Sequence, residues 1–141
     1  MLKLSPITIL LLFGMLGCKS VQPSDLAGTW TMKDVLRKGL PAELQNGSGK
    51  IVLNADGSFV ASELPGLFFI QGRHAAQLDG GNGVWKLVSR EGRQQVQLEF
   101  QLIPGWKGLL PYGTQLEVGR GSLFYFVGDA DEGRRIVFEK K

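Results

Sequence analysis

The stretch "RQQVQLEFQLIP", residues 93–104, alternates with period two: Val96, Leu98, Phe100 and Leu102 fall on one side, while Gln95, Gln97, Glu99 and Gln101 fall on the other. Successive side chains of an extended chain point to opposite faces, so this spacing predicts a strand with one greasy and one wet face. Immediately before it, "GVWKLVSR" (83–90) is followed by Glu91 and Gly92, a two-residue turn that predicts a hairpin.

The same grammar recurs along the chain. In "GKIVLNADGSFVASE" (49–63), Ala55, Asp56 and Gly57 separate two β-rich runs. In "QLEVGRGSLFYFVGDADEGRRIVFEK" (115–140), "GRG" and "DADEGR" divide three more, and "GTWTMKDVL" (28–36) opens the series. The count is about eight strands, or nine if "LFFIQ" (67–71) pairs, with no sustained helical period. Short connections make neighbouring strands antiparallel. Several strands carry bulky residues on both faces, as in Leu123 and Tyr125 against Phe124 and Phe126, or Ile51 and Leu53 against Val52. A simple sandwich would expose one of those sets. The expectation is therefore all-β, an antiparallel up-and-down barrel whose roughly eight strands enclose room for side chains or one small ligand.

The first twenty residues, "MLKLSPITILLLFGMLGCKS", carry a charge at Lys3 and an apolar run from Ile7 to Leu16. That run is too short to span a hydrocarbon layer of roughly 30 Å and reads as the core of a secretory signal over residues 1–17. Cys18, the single cysteine, follows "MLG". This segment resembles a bacterial lipobox, which implies cleavage before Cys18 and its acylation; an ordinary signal peptide is the alternative. No disulfide can form within one such chain. Acylation implies a partner in the lipid bilayer, with attachment made stable by more than one acyl chain. Lys19 rather than aspartate after the cysteine favours, by analogy with enteric sorting, the outer membrane facing the periplasm. Residues 18–26 then form a short tether, and residues 27–141 one barrel domain.

Beyond residue 17 the chain has 15 basic and 13 acidic residues, a balance that gives no reason to expect a nucleic-acid partner. Glycine is in excess: 18 of the 20 lie beyond residue 17, spread between apolar runs as turn residues would be.

At the head of the first strand stands "LAGTW" (26–30), a glycine two residues before a tryptophan. This resembles the opening motif of lipocalins and the wider calycin group. The order of "LNADGSF" (53–59), "GNGVWKL" (81–87), a polar-alternating strand and "FYFVGDADEGRRIVFEK" (124–140) resembles small bacterial lipocalin-like lipoproteins across about the whole of residues 18–141. The resemblance implies that Gly28 bends the chain into the barrel and Trp30 closes its narrow end. It also implies a small apolar or amphipathic ligand. Two departures bear on the size of any cavity: the chain is shorter than typical lipocalins and shows no clear helix after the last strand.

The candidate binding residues are aromatic: Phe59, Trp85 and Phe100 inside, Trp106 and Tyr112 at the rim, and Phe68 and Phe69 framing the same opening. Trp106 and Tyr112 belong to "IPGWKGLLPYG" (103–113), which forms a lid over the barrel mouth, touches a lipid surface or docks a partner, or else folds back to plug one end. Metal and cofactor sites are not expected, because His74 is the sole histidine and Cys18 is assigned to lipid. "DADEG" (129–133) lacks the glycine and glutamate spacing of a calcium loop and reads as a turn. "GGNG" and "GRG" do not lead into helices and are not phosphate loops. No nucleophile–base pair or "GxSxG" is present, so no catalytic residue is assigned and an enzyme is not expected. Two functions compete: a tethered barrel holding a small ligand, and an envelope lipoprotein with a packed barrel that binds a protein partner. The volume of the interior separates them.

Overall fold

The computed structural model of the chain describes residues 20–33, 49–65, 68, 78–126 and 135–141. A one-turn helix, α1 (Pro23–Leu26), precedes eight strands: β1 (Gly28–Met32), β2 (Lys50–Leu53), β3 (Ser58–Pro65), β4 (Leu78–Arg90), β5 (Arg93–Leu102), β6 (Tyr112–Val118), β7 (Ser122–Phe126) and β8 (Arg135–Lys140). Each strand pairs antiparallel with the next, and β8 returns to β1, closing the barrel. All-β closure leaves the interior a single core, as the alternation predicts. Residues 1–19, 69 and 129–133 lie outside the described residues, and with them the leader, Cys18, Phe69 and the "DADEG" turn; so do His74 and most of "LFFIQ".

Strand direction sorts the connections onto two ends. The tight turns β2–β3, β4–β5 and β6–β7 share one end with the N-terminal segment and the chain terminus; the β5–β6 loop lies at the other. At the β4–β5 turn Glu91 and Gly92 have φ of +52° and +74°, the left-handed pair that a two-residue hairpin needs. At β2–β3 the Asp56 carboxylate accepts from Ser58 N at 2.9 Å and Ser58 Oγ at 2.6 Å. Those bonds, the side-chain one foremost, hold its carboxyl below the ordinary range.

The end that carries α1 and the chain terminus, called the closed end, is where the opening motif packs. Gly28 has φ of +140°, a backbone that L side chains rarely adopt, and it turns the chain from α1 into β1. Trp30, 3% exposed, donates its indole N–H to Leu26 O at 2.8 Å, while Lys140 Nζ reaches Asp25 O at 2.9 Å. The segment read as a tether thus contains residues packed on the barrel: Leu26 is buried, and Val21 exchanges two hydrogen bonds with Gln94, N–H to Oε1 at 3.0 Å and C=O from Nε2 at 2.9 Å.

Two features of β4 and β5 depart from the sequence reading. The glycines of "GGNG" are not in a turn: Gly80, Gly81 and Gly83 lie within β4. A Cβ on Gly83 would stand 1.8 Å from Glu99 O, so only glycine admits the approach of β5 there. Gly83 is in register with Phe59 on one side and Phe100 on the other, and the two rings meet edge-to-face with centroids 4.9 Å apart. Leu102 does not follow Phe100 into the core. The register shifts between Asn82 and Gly83, which leaves Leu102 53% exposed and places Ile103 inside at 3%.

Candidate functional site

Five of the seven predicted aromatic residues, Phe59, Phe68, Phe100, Trp106 and Tyr112, come together, and they do so in the core. Phe59, Phe68 and Phe100 are at most 1% exposed. From the Phe59–Phe100 pair the contacts continue to Tyr112 (6.4 Å from Phe100) and Trp106 (5.4 Å from Tyr112). Phe68 stacks on Tyr125 at 4.3 Å, lies 5.9 Å from Phe138, and accepts the Tyr112 hydroxyl at its carbonyl oxygen at 2.9 Å. Ile51, Leu53, Leu98, Leu116, Leu123 and Ile136 fill the space around them, each less than 2% exposed or at that limit. These rings and aliphatic side chains therefore belong to the buried core of the barrel.

The β5–β6 loop divides its residues between the inward and outward roles predicted for it. Ile103 is buried, and Trp106 and Tyr112 pack against the core, so that part plugs. Leu109 and Leu110 project outward, 92% and 41% exposed. Trp85 stands apart from the other aromatics, its indole N–H donated to Asn54 O at 2.9 Å near the closed end.

Trp85 instead lines a half-open cleft of about 610 Å³ in the barrel wall. Its floor is three cross-strand triplets: Val84, Trp85 and Lys86 of β4, Gln97, Leu98 and Glu99 of β5, and Gly113, Thr114 and Gln115 of β6. Tyr125 of β7 completes it. The position follows from the pairing of β6, which meets β7 only at Glu117–Phe124 and Val118–Leu123 while its earlier residues pair with β5 alone. Gly113 removes a side chain from the outward face: a Cβ there would find nothing nearer than Leu98 O at 3.9 Å. Val84 adds exposed apolar surface, and Lys86, Glu99 and Gln115 add exposed polar groups. Burial, with a smaller contribution from nearby Tyr112, pushes the Tyr125 phenol above its ordinary value, so at neutral pH it is an uncharged hydrogen-bonding group.

Of the aromatics singled out in the sequence, only Trp85 belongs to this cleft. Val84, Lys86, Gln97, Glu99 and Gln115 sit on the outward faces of their strands, where alternation marks them as merely solvated, while Leu98, Thr114 and Tyr125 belong to the inner side. Gly113 gives no signal in advance either, since it closes the loop stretch 103–113 and only the structure places it in β6. Among the described residues no group of three or more His, Cys, Asp or Glu side chains could hold a metal ion, and no helix is long and apolar enough to cross a membrane.

No protein-family model, curated protein or solved structure matches the chain.

Proposed function

We propose that this protein is a lipid-anchored, lipocalin-like barrel of the bacterial cell envelope that binds a small amphipathic ligand in its wall rather than in its lumen. The carrying observation is the cleft of about 610 Å³, within the usual range of small-molecule sites and lined by apolar and polar groups together. The burial of Phe59, Phe68 and Phe100 in the core supports a reading at the wall over one in the lumen. Val84 and the edge of Tyr125 suit an acyl or aromatic portion, and Lys86, Gln97, Glu99 and Gln115 suit a polar head. The chain acts by binding and not by catalysis.

The test uses dodecanoate as the probe and tryptophan emission as the readout, since Trp85 lines the cleft. Saturable quenching is expected, and it should vanish in Gly113→Ile, which fills the cleft from a strand position with open space around it. Equal binding by that variant, with an unchanged circular dichroism spectrum, refutes the cleft. The anchor is tested separately: Cys18→Ser should leave the membrane fraction and take up no labelled palmitate. A Cys18→Ser chain that still pellets with membranes, beside a wild type that incorporates no palmitate, refutes it.

A second reading rests on Leu109 and Leu110, which with Leu102 expose apolar surface at the loop end of the barrel. That surface suits an envelope protein partner. Capture of one defined partner by the wild type and not by Leu109→Ser supports it.

A further inference from the structure

A second groove, of about 730 Å³, runs from the closed end along the outer face of β7. Its lining brings together Arg93 at the start of β5, Arg120 in the β6–β7 turn and Arg135 at the start of β8, with Phe124 and Phe126 between them. The Arg135 guanidinium lies 5.0 Å from the centroid of the Phe124 ring, which fixes a cation over an apolar floor. Glu117 is the single acidic residue in the lining, and its carboxylate accepts from Gln95 Nε2 at 2.6 Å. Among the described residues none of the three arginines is held in an ion pair; the salt bridge present joins Lys33 to Glu139 elsewhere. Three guanidiniums against one carboxylate, over two phenyl rings, are complementary to an anion joined to apolar matter.

The N-terminal segment tells which such molecule meets this groove. Val21 is itself part of the lining and is pinned to Gln94 by both of its backbone groups. Two residues, Lys19 and Ser20, separate it from Cys18, three Cα steps that span at most about 11 Å. We infer that this groove seats the phosphodiester headgroup of an anionic phospholipid, and that the closed end of the barrel faces the bilayer. The choice of a phospholipid and the orientation both rest on the anchoring at Cys18 proposed above; the arginine-lined anion site itself does not need it.

The experiment keeps the two apart by supplying lipid to the full-length chain in neutral detergent micelles, whatever the state of its cysteine. Phosphatidylglycerol, phosphatidylcholine and glycerol 3-phosphate are titrated in turn, and backbone amide shifts are followed at Gly92, Arg93, Gly119, Arg120 and Gly121. Phosphatidylglycerol is expected to shift these amides saturably and to compete with added salt. The Arg120→Gln/Arg135→Gln variant should bind at least about tenfold more weakly, with dodecanoate binding at the wall cleft unchanged. Absence of shifts with phosphatidylglycerol, equal shifts with phosphatidylcholine, equal affinity for glycerol 3-phosphate, or unweakened binding by the double variant each overturns the site. Palmitate labelling of the same preparation reports on the anchor alone.

Discussion

Replacing Gly83 by alanine adds one carbon where the barrel has no room for it. That Cβ would lie 1.8 Å from Glu99 O, 2.8 Å from Glu99 C and 3.0 Å from Gln101 N, all backbone atoms that no rotamer change can move. Restoring a contact of 3.4 Å requires a displacement of about 1.6 Å between β4 and β5. A ladder bond of about 2.9 Å stretched by that amount is no longer a hydrogen bond. The displacement also parts Phe59 from Phe100, whose rings meet across this glycine. Overpacking of about 1–3 kcal/mol, about 1 kcal/mol per lost ladder bond and about 1 kcal/mol for the aromatic pair give an expected loss on the order of 3–5 kcal/mol. Urea unfolding followed by tryptophan emission measures it, and two other glycines calibrate the result. Gly92→Ala has open space but φ of +74°, and should cost about 1 kcal/mol. Gly113→Ala has neither obstacle and should stay within about 0.5 kcal/mol of wild type. A Gly83→Ala protein as stable as the Gly113→Ala protein refutes the close-approach account.

Three further expectations follow from the same geometry. Phe100→Ala removes a fully buried ring and should cost about 3–5 kcal/mol in the same unfolding assay, a smaller loss meaning that the surrounding side chains collapse into the space. Trp30→Phe keeps an aromatic ring but removes the second ring of a buried indole and leaves Leu26 O without its donor, for an expected loss of about 1–3 kcal/mol; urea midpoints equal to wild type would show that neither the bond nor the packing at the closed end is used. The raised pKa of Tyr125 means that its contribution is fully present below the unfolded value of 10.0 and is lost as pH rises through the folded value. Stability of the wild type should therefore decline more steeply above pH 10.0 than that of Tyr125→Phe, and parallel alkaline profiles would contradict the assignment.

The parts of the fold legible in advance are those fixed by local periodicity. Val96, Leu98 and Phe100 turn inward because an extended chain alternates, and Gly57 and Gly92 mark turns because their φ is positive. Leu102 satisfies the same alternation and still faces out, because a register shift against Asn82 and Gly83 intervenes, and register is a property of two strands. The "GGNG" glycines are ambiguous for a related reason: the need for glycine comes from the backbones of β3 and β5 on either side, not from β4 itself. The cleft is least legible of all, since its floor joins residues 84–86, 97–99 and 113–115, which only the pairing makes neighbours.

A narrow barrel forces a choice about where binding can occur. Eight strands enclose just enough volume for side chains or for one small ligand. Here Phe59, Phe68, Phe100 and Phe138, with the aliphatic residues around them, are buried in that interior and supply the core that a chain of this size needs. Emptying the lumen for a ligand would therefore withdraw the burial that closes the barrel. The wall carries no such conflict: Gly113 opens the outer surface without exposing the rings beneath, because Leu98 and Thr114 on the inner side stay 1% and 8% exposed. Binding in the wall can thus be altered at Gly113 while the core is left intact. That separation is what a comparison of Gly113→Ile with Phe100→Ala reads: the first should lose dodecanoate with stability retained, the second should lose stability first.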